Sequence, residues 1–537
     1  MEDENSLRQE GFMVKKGFSL LLAVLMLLSV FSFASAEEET EYRDTIYWLI
    51  NTDQDTLDPQ NNVNNSKVIP QFYSGLLKLN LEGQYELDIA TGYEVSEDGL
   101  TWTFTLRDDV YFHSGKHCTA YDFEWTYARL LDEENPQRFT QDYSEFMESA
   151  TALDDYTLEI KLHTPNAFFL EAIAEQKAYV LNSEVVEEFG EDFGLSAESV
   201  DGTGPFMCTN WIRQQEMTFT RFENYYNGVA QTENIVMMVV PDQTSRAMAM
   251  ESGEGQIADG LAPDDVTRLT ESGEFVRISD FSSGCHLFQF NCSEDSRVAD
   301  PLVRQAICYA IDRETMCEVL FSGLGEIPMP SVMAPCVAGY SDKIQPVPYD
   351  PEKAAELLAE AGYPNGEGLT VSICANTVYN KGIEMGEMIK QFLENIGITV
   401  DLQIVERAVW SAARTGLTPE EYNRDYGWDM FIMGSGGNAN ANTLLYRIAH
   451  TDDDNLNNYG FYSNARVDEL LDTAYLEMDV EKRDAMYEEI AQIMLYDDPF
   501  GAYINLRTNT YVVDPGIEGF YVNPYNTADL MNLRCAA

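Results

Sequence analysis

Basic residues are scarce in this chain: 33 Lys and Arg stand against 91 Asp and Glu, a formal net charge of −58 over 537 residues. A surface of that sign repels phosphate backbones and anionic lipid headgroups, so no nucleic-acid partner and no charge-held membrane contact are expected. Solubility accounts for the charge, and recruitment of a cationic solute is the sharper alternative. Catalytic signatures are missing too: there is no G-x-S-x-G elbow, no H-E-x-x-H, no G-x-x-x-x-G-K-[ST] loop and no G-x-G-x-x-G after a strand. Paired carboxylates discriminate nothing in so acidic a chain. The expectation is a protein that is not an enzyme and carries no cofactor.

Cysteine is present in an odd number, nine, without a C-x-x-C pair. Exported proteins with a disulfide framework usually show an even count, and a chain this long needs none. Cys308 and Cys317 read as small hydrophobes on an apolar helix face. The one long apolar run, from Phe18 to Phe33, follows Lys15 and Lys16 and ends in Ala34-Ser35-Ala36. It is short for a membrane span, and residues 13–36 fit a secretory signal peptide cleaved after Ala36. No Cys stands at the cleavage point, which argues against a lipid anchor. Residues 1–12 are acidic where a basic start is expected, and Gln9-Glu10-Gly11 can be encoded by a purine-rich ribosome-binding site. Translation from Met13 is the reading that follows. No second span succeeds the signal, so no membrane insertion is expected after its removal.

The remainder is globular in composition, 45% hydrophobic and 12% aromatic, and long enough for two or three packed units. Within residues 94–112, Trp102, Phe104 and Leu106 alternate with Thr101, Thr103 and Thr105 after an Asp98-Gly99 turn, the pattern of a hairpin with one buried face. Thr119 with Asp122 three residues on opens a helix. Asp300-Pro301 and Asp350-Pro351 each set a capping carboxylate before a proline at the first helical position. A strand over 369–375, a helix over 382–396 and a strand over 398–405 form a βαβ unit, hence a parallel sheet. A further strand, 428–433, runs into the glycine- and asparagine-rich loop 434–442, and ligands of open α/β sheets bind beyond such strand ends.

Blocks of the sequence resemble the extracellular solute-binding proteins of family 5, which serve oligopeptide, dipeptide and nickel importers. The blocks are Leu57-Asp58-Pro59, Ser96-Glu97-Asp98-Gly99-Leu100-Thr101-Trp102, Phe112-His113-Ser114-Gly115-Lys116, Gly202-Thr203-Gly204-Pro205-Phe206, Val303-Arg304-Gln305-Ala306-Ile307, Ala310-Ile311-Asp312-Arg313 and Tyr349-Asp350-Pro351. The resemblance implies an α/β fold of the two-lobed periplasmic-binding-protein type (type II), with an extra α+β domain inserted in the first half. By the same analogy, one lobe combines 37–75, 200–285 and 508–537, the extra domain is 76–199, and the other lobe is 286–507. It implies a monomeric substrate-binding component of an ABC importer, catching an oligopeptide or related small polar solute for permease subunits with cytoplasmic ATPases. Alternatives are a binder of a saccharide or other non-peptide solute, a ligand-presenting sensor and, last, a secreted hydrolase.

The resemblance also bears on the site. Peptide binders of the family carry Trp after the first Gly of the loop and an Asp that holds the peptide amine, whereas this chain has Ser435 and Asn438. Loss of that partner costs a buried ammonium roughly 2–5 kcal/mol, so the free-amine anchor is missing. Ser435, Gly436, Gly437, Asn438 and Asn440 are ligand-binding candidates, because amides and glycine backbone approach a polar solute closely. Trp410 and Tyr143 are candidates for aromatic stacking and His286 for a cleft-facing imidazole. Tyr379 and Lys381 stand where dipeptide binders place a carboxylate-holding Arg, with Lys381 the less rigid cation. Arg304 and Asp312 read as scaffold. His113, His117 and Cys118 invite a metal reading, but the Phe-His-x-Gly turn does not set both imidazoles on one helix face, and no metal is expected.

Overall fold

The structure is a computed structural model that describes residues 41–62, 67–321, 324–414, 416–436, 440–451 and 458–537. The expectations about the start codon, signal peptide and cleavage site fall on residues 1–40, outside the described residues. Asp44–Cys535 form one compact unit; in the other, Tyr42 bridges Ala536 in antiparallel fashion.

The first strand, β1 (Thr45–Ile50), is nearly all apolar and buries Ile46, Trp48, Leu49 and Ile50, as a strand covered on both faces must. The chain then builds a four-stranded antiparallel sheet from β2 (Ala90–Val95), β3 (Thr101–Leu106), β4 (Met147–Asp154) and β5 (Thr157–Leu162), in the order β2-β3-β5-β4. The expected hairpin is there, with Val95 opposite Trp102, and β3 buries Trp102, Phe104 and Leu106 while its threonines face outward. Its second strand stops at Leu106 rather than reaching residue 112. Helix α1 (Ala120–Leu130) begins with the Thr119–Asp122 capping box and lays Phe123, Tyr127 and Leu130 on this sheet's core.

The main sheet gathers β6 (Phe206–Ile212), β7 (Glu216–Arg221), β8 (Asn234–Val239), β9 (Ile257–Asp259) and β10 (Val276–Phe290) from the first half of the chain. Past β10 come α2 (Pro301–Ala310), α3 (Arg313–Phe321), β11 (Ile327–Pro328), α4 (Pro351–Glu360), β12 (Thr370–Ala375), α5 (Gly382–Asn395), β13 (Thr399–Ile404), α6 (Arg407–Ala412), β14 (Met430–Ser435), α7 (Ala441–Ala449) and β15 (Gly501–Val513). Asp300 and Asp350 accept backbone N–H bonds at the starts of α2 and α4, at 2.9 and 2.8 Å. β12, α5 and β13 make the parallel βαβ unit. Arg304 is scaffold: its guanidinium donates to the carbonyls of Val298, Ala299 and Pro499 and pairs with Asp498. Asp312 caps α3 through the Thr315 N–H.

The strand order is β13-β12-β14-β10-β15-β9-β1-β8-β7-β6, with β11 on β15. β10 and β15 are the two strands that run through both halves. Their ladder breaks midway: Phe281 faces Thr508 and Cys285 faces Leu506, so residues 282–284 bulge opposite Arg507. Before the break β15 also pairs β9; beyond it β10 pairs β14. A bulge at such a crossing bends the strand and re-aims side chains.

Candidate functional site

The candidates that converge do so where β14 ends against β10. Gly434 and Ser435 stay in the ladder, opposite His286 and Cys285, so the strand outruns the expected end at Met433: the partner strand supplies ladder bonds that local turn chemistry cannot reveal. The next residue, Gly436, has φ 137°, and a Cβ there would lie 2.4 Å from the Gly284 Cα. Only glycine permits that approach. A Cβ at Gly434 would lie 2.8 Å from Tyr379 Cε1, so the Tyr379 ring rests against the strand backbone.

Tyr379 is the centre of an aromatic wall. Its ring meets Trp410 edge-on at 5.5 Å and His286 at 5.7 Å, the preferred geometry for such pairs. Trp410 is buried on α6 and donates its indole N–H to the Ile432 carbonyl at 3.0 Å. His286 bonds through Nδ1 to Asn505 Oδ1 at 3.1 Å, while the Asn505 amide donates to the Glu326 carboxylate. With the amide nitrogen committed to Glu326, its oxygen accepts, so Nδ1 carries the histidine proton. Burial, then the nearby Arg507 guanidinium, push the His286 pKa down to about 3, and the ring is neutral. Burial lifts Glu326 to about 7, with Arg507 opposing.

Two guanidiniums complete the wall, and the sequence reading passed over both. Arg414 lies between Trp410 and Tyr459, 4.1 and 4.3 Å from the two ring centroids. Its spacing of four from Trp410 was the available signal. Arg507 stands opposite the β10 bulge, and a Cβ at Gly284 would lie 3.5 Å from its Nη1 and 3.5 Å from the Ser435 carbonyl oxygen. Burial raises the Tyr379 phenol, while the Gly434 backbone, Arg414 and Arg507 pull it down, so both cations act on this one ring. The buried Ser435 hydroxyl has no hydrogen-bond partner among the described residues.

The other candidates are placed differently. Asn440 caps α7, accepting the Thr443 N–H at 2.8 Å. Gly437 and Asn438 lie outside the described residues. Lys381 sits at φ 56° before α5, its ammonium 3.6 Å from Glu384, already paired on its own helix. Tyr143 is buried in the core of the four-stranded sheet, donates to the Ala172 carbonyl at 2.8 Å and packs on Phe146. Core packing therefore accounts for Tyr143. His113 and His117 each bond a backbone carbonyl, of Gly204 and Asp108. An open surface cavity of about 750 Å³ is lined by His113, Phe222 and Tyr226 and contains none of the ligand-binding candidates.

Comparison with known proteins shows which family the chain belongs to. The profile of the bacterial extracellular solute-binding proteins, family 5, matches residues 84–455. The chain belongs to that family. It is 28% identical to the glutathione-binding protein GsiB of Salmonella typhi over 491 residues, 88% of this chain and 92% of that one. Among solved structures, the ABC transporter substrate-binding protein CtaP of Listeria monocytogenes superposes with a TM-score of 0.82 at 20% identity, over 93% of this chain and all of that chain. AgaA of A. tumefaciens R10, in complex with agropinic acid, superposes with a TM-score of 0.70 at 26% identity, over 90% and 98%. This family 5 protein has the type II periplasmic-binding fold and is a substrate-binding component of an importer. Among the described residues no helix is long and apolar enough to cross a membrane.

Proposed function

We propose that this protein captures a small polar solute of peptide size at the end of β14 and delivers it to an ABC permease driven by cytoplasmic ATPases. The observation that carries the reading is the gathering of Ser435, Gly436, Tyr379, Trp410 and His286 beside the broken ladder of β10 and β15. A site at a crossing of two halves lets binding energy drive their closure. The relationship to GsiB supports a peptide-like solute. Ser435 and Asn438, standing in place of the family's aromatic and acid, support one held without an amine anchor. The working form begins after Ala36, carries no lipid, acts as a monomer and performs no catalysis.

Mass spectrometry of small molecules released from protein purified gently out of the native host tests the reading. A stoichiometric polar compound that rebinds the stripped protein and makes it more compact in X-ray scattering is the expected result. Chemical turnover of that compound by the pure protein, or rebinding with no compaction, would count against it.

A further inference from the structure

We infer that the captured solute is an organic anion, and that Arg507 and Arg414 form its carboxylate-binding subsites, one at the strand crossing and one on the aromatic wall. The inference rests on the capture reading and adds the charge of the solute to it.

Most cations among the described residues are already partnered. Lys67 pairs with Asp259, Arg129 with Asp58, Arg297 with Asp429 and Arg466 with Glu489. That is the expected outcome where acids outnumber bases 91 to 33. Arg246 and Arg313 are buried and saturated by backbone carbonyls instead. Arg414 and Arg507 are neither: among the described residues their guanidiniums have no carboxylate within ion-pair distance and no hydrogen bond. Both border the Tyr379 ring: Arg414 stacks on the Trp410 that meets it edge-on, and Arg507 stands at Gly284, across from the end of the strand on which that ring rests.

The surroundings prepare each cation for an external partner. Trp410 and Tyr459 hold the Arg414 plane between two ring faces, and its buried Nε has no partner among the described residues. A guanidinium stacked in this way is oriented in advance and keeps its N–H edges for a planar oxyanion, which it can bind through two parallel bonds. Arg507 is exposed at the bulge, beside the Ser435 and Gly284 backbone, and no side chain larger than hydrogen at 284 or 436 fills the approach. The nearby carboxylate, Glu326, is bound to Asn505. The uncharged Ser435 hydroxyl supplies a donor at the same strand end. Neutral His286, the phenol and the indole make the rest of the wall, and among the described residues the nearby carboxylate, Glu326, is held by Asn505 rather than by either guanidinium. Two separated guanidiniums fit a solute with two carboxylates better than one with a single charge.

The test uses the chain from residue 37 onward, titrated calorimetrically with glutathione, glutathione diethyl ester, trialanine, trialanine amide and a neutral disaccharide. The expected result is that glutathione or trialanine binds, and that its esterified or amidated form binds about 30- to several-thousand-fold more weakly. Arg507→Met and Arg414→Met each weaken the acid by a similar factor, while Lys343→Met, at a surface pair with Glu488, changes nothing. Thermal melting of each variant shows that it folds, and the ester comparison on the unaltered protein needs no variant. Equal affinity for acid and ester, or arginine variants that bind like the parent, overturns the anion inference and leaves capture standing. Binding of the disaccharide alone does the same. Compaction of the protein by an anion that the arginine variants no longer bind supports both readings.

Discussion

Glu326 spends its pKa shift against the fold. Its carboxylate is buried beside Asn505, which donates to it, and burial lifts its pKa to about 7 from an ordinary 4.5. Below pH 4.5 the group is neutral in folded and unfolded chains alike. Between about 4.5 and 7 the unfolded chain releases its proton while the folded one keeps it, so stability is lost as pH rises across that window and the loss is complete once the folded carboxyl ionises above 7. A shift of this size corresponds to roughly 3 kcal/mol at pH 8. Glu326→Gln keeps an oxygen for the Asn505 amide and removes the charge. Urea unfolding should show the variant more stable than the parent at pH 8 by up to that amount and equal to it at pH 4.5. An equal gain at both values would mean that the carboxyl never ionises differently in the two states. Arg507→Met should sharpen the effect, since Arg507 is the cation that restrains the shift.

At the level of elements, Asn440 separates a structural role from a binding one. Its side chain accepts the Thr443 N–H and starts α7, and the neighbouring Asn442 accepts the Tyr487 hydroxyl at 3.2 Å. Asn440→Ala should therefore cost about 1 kcal/mol of unfolding free energy, and Asn440→Asp almost none, because aspartate caps as well. Ligand affinity should follow neither change. An Ala variant of parental stability with weakened binding would return Asn440 to the ligand. Gly436→Ala is the opposite case: the positive φ and the 2.4 Å approach to Gly284 Cα leave no room for a methyl group. Strain of this kind costs on the order of 1–3 kcal/mol, and shifting the strand end should weaken binding as well, as paired denaturation and calorimetry would show. The same contrast explains what the sequence could tell. The capped helices, the Trp102 hairpin and the βαβ unit were legible because their signals lie within a few residues. Arg507 was not, since its place beside Ser435 depends on a bulge more than two hundred residues away in the chain. Arg414 was half legible, one helical turn from the Trp410 that drew attention. Tyr143 read as a stacking candidate because an aromatic in a core and one on a cleft look alike in sequence.

The whole molecule and the inferred subsites carry charges of opposite sign, and salt can tell their effects apart. An anionic solute approaching a body of formal charge −58 climbs a repulsive potential until it comes within range of the two guanidiniums. At about 0.01 M salt that potential reaches some 30 Å, and at 0.15 M about 8 Å. The arginine contacts are made at hydrogen-bond distance, where screening is weak. Raising salt from low to physiological strength should therefore quicken association of an anion and leave its dissociation nearly constant, the reverse of ordinary steering by complementary charge. Stopped-flow fluorescence can follow both, because Trp410 lies in the wall. A cationic solute would associate more slowly as salt rises, and a neutral one would show no trend. The sign of the slope thus reports the solute's charge independently of any arginine variant. A falling association rate for the native solute would show that the acidic surface recruits its ligand rather than delaying it.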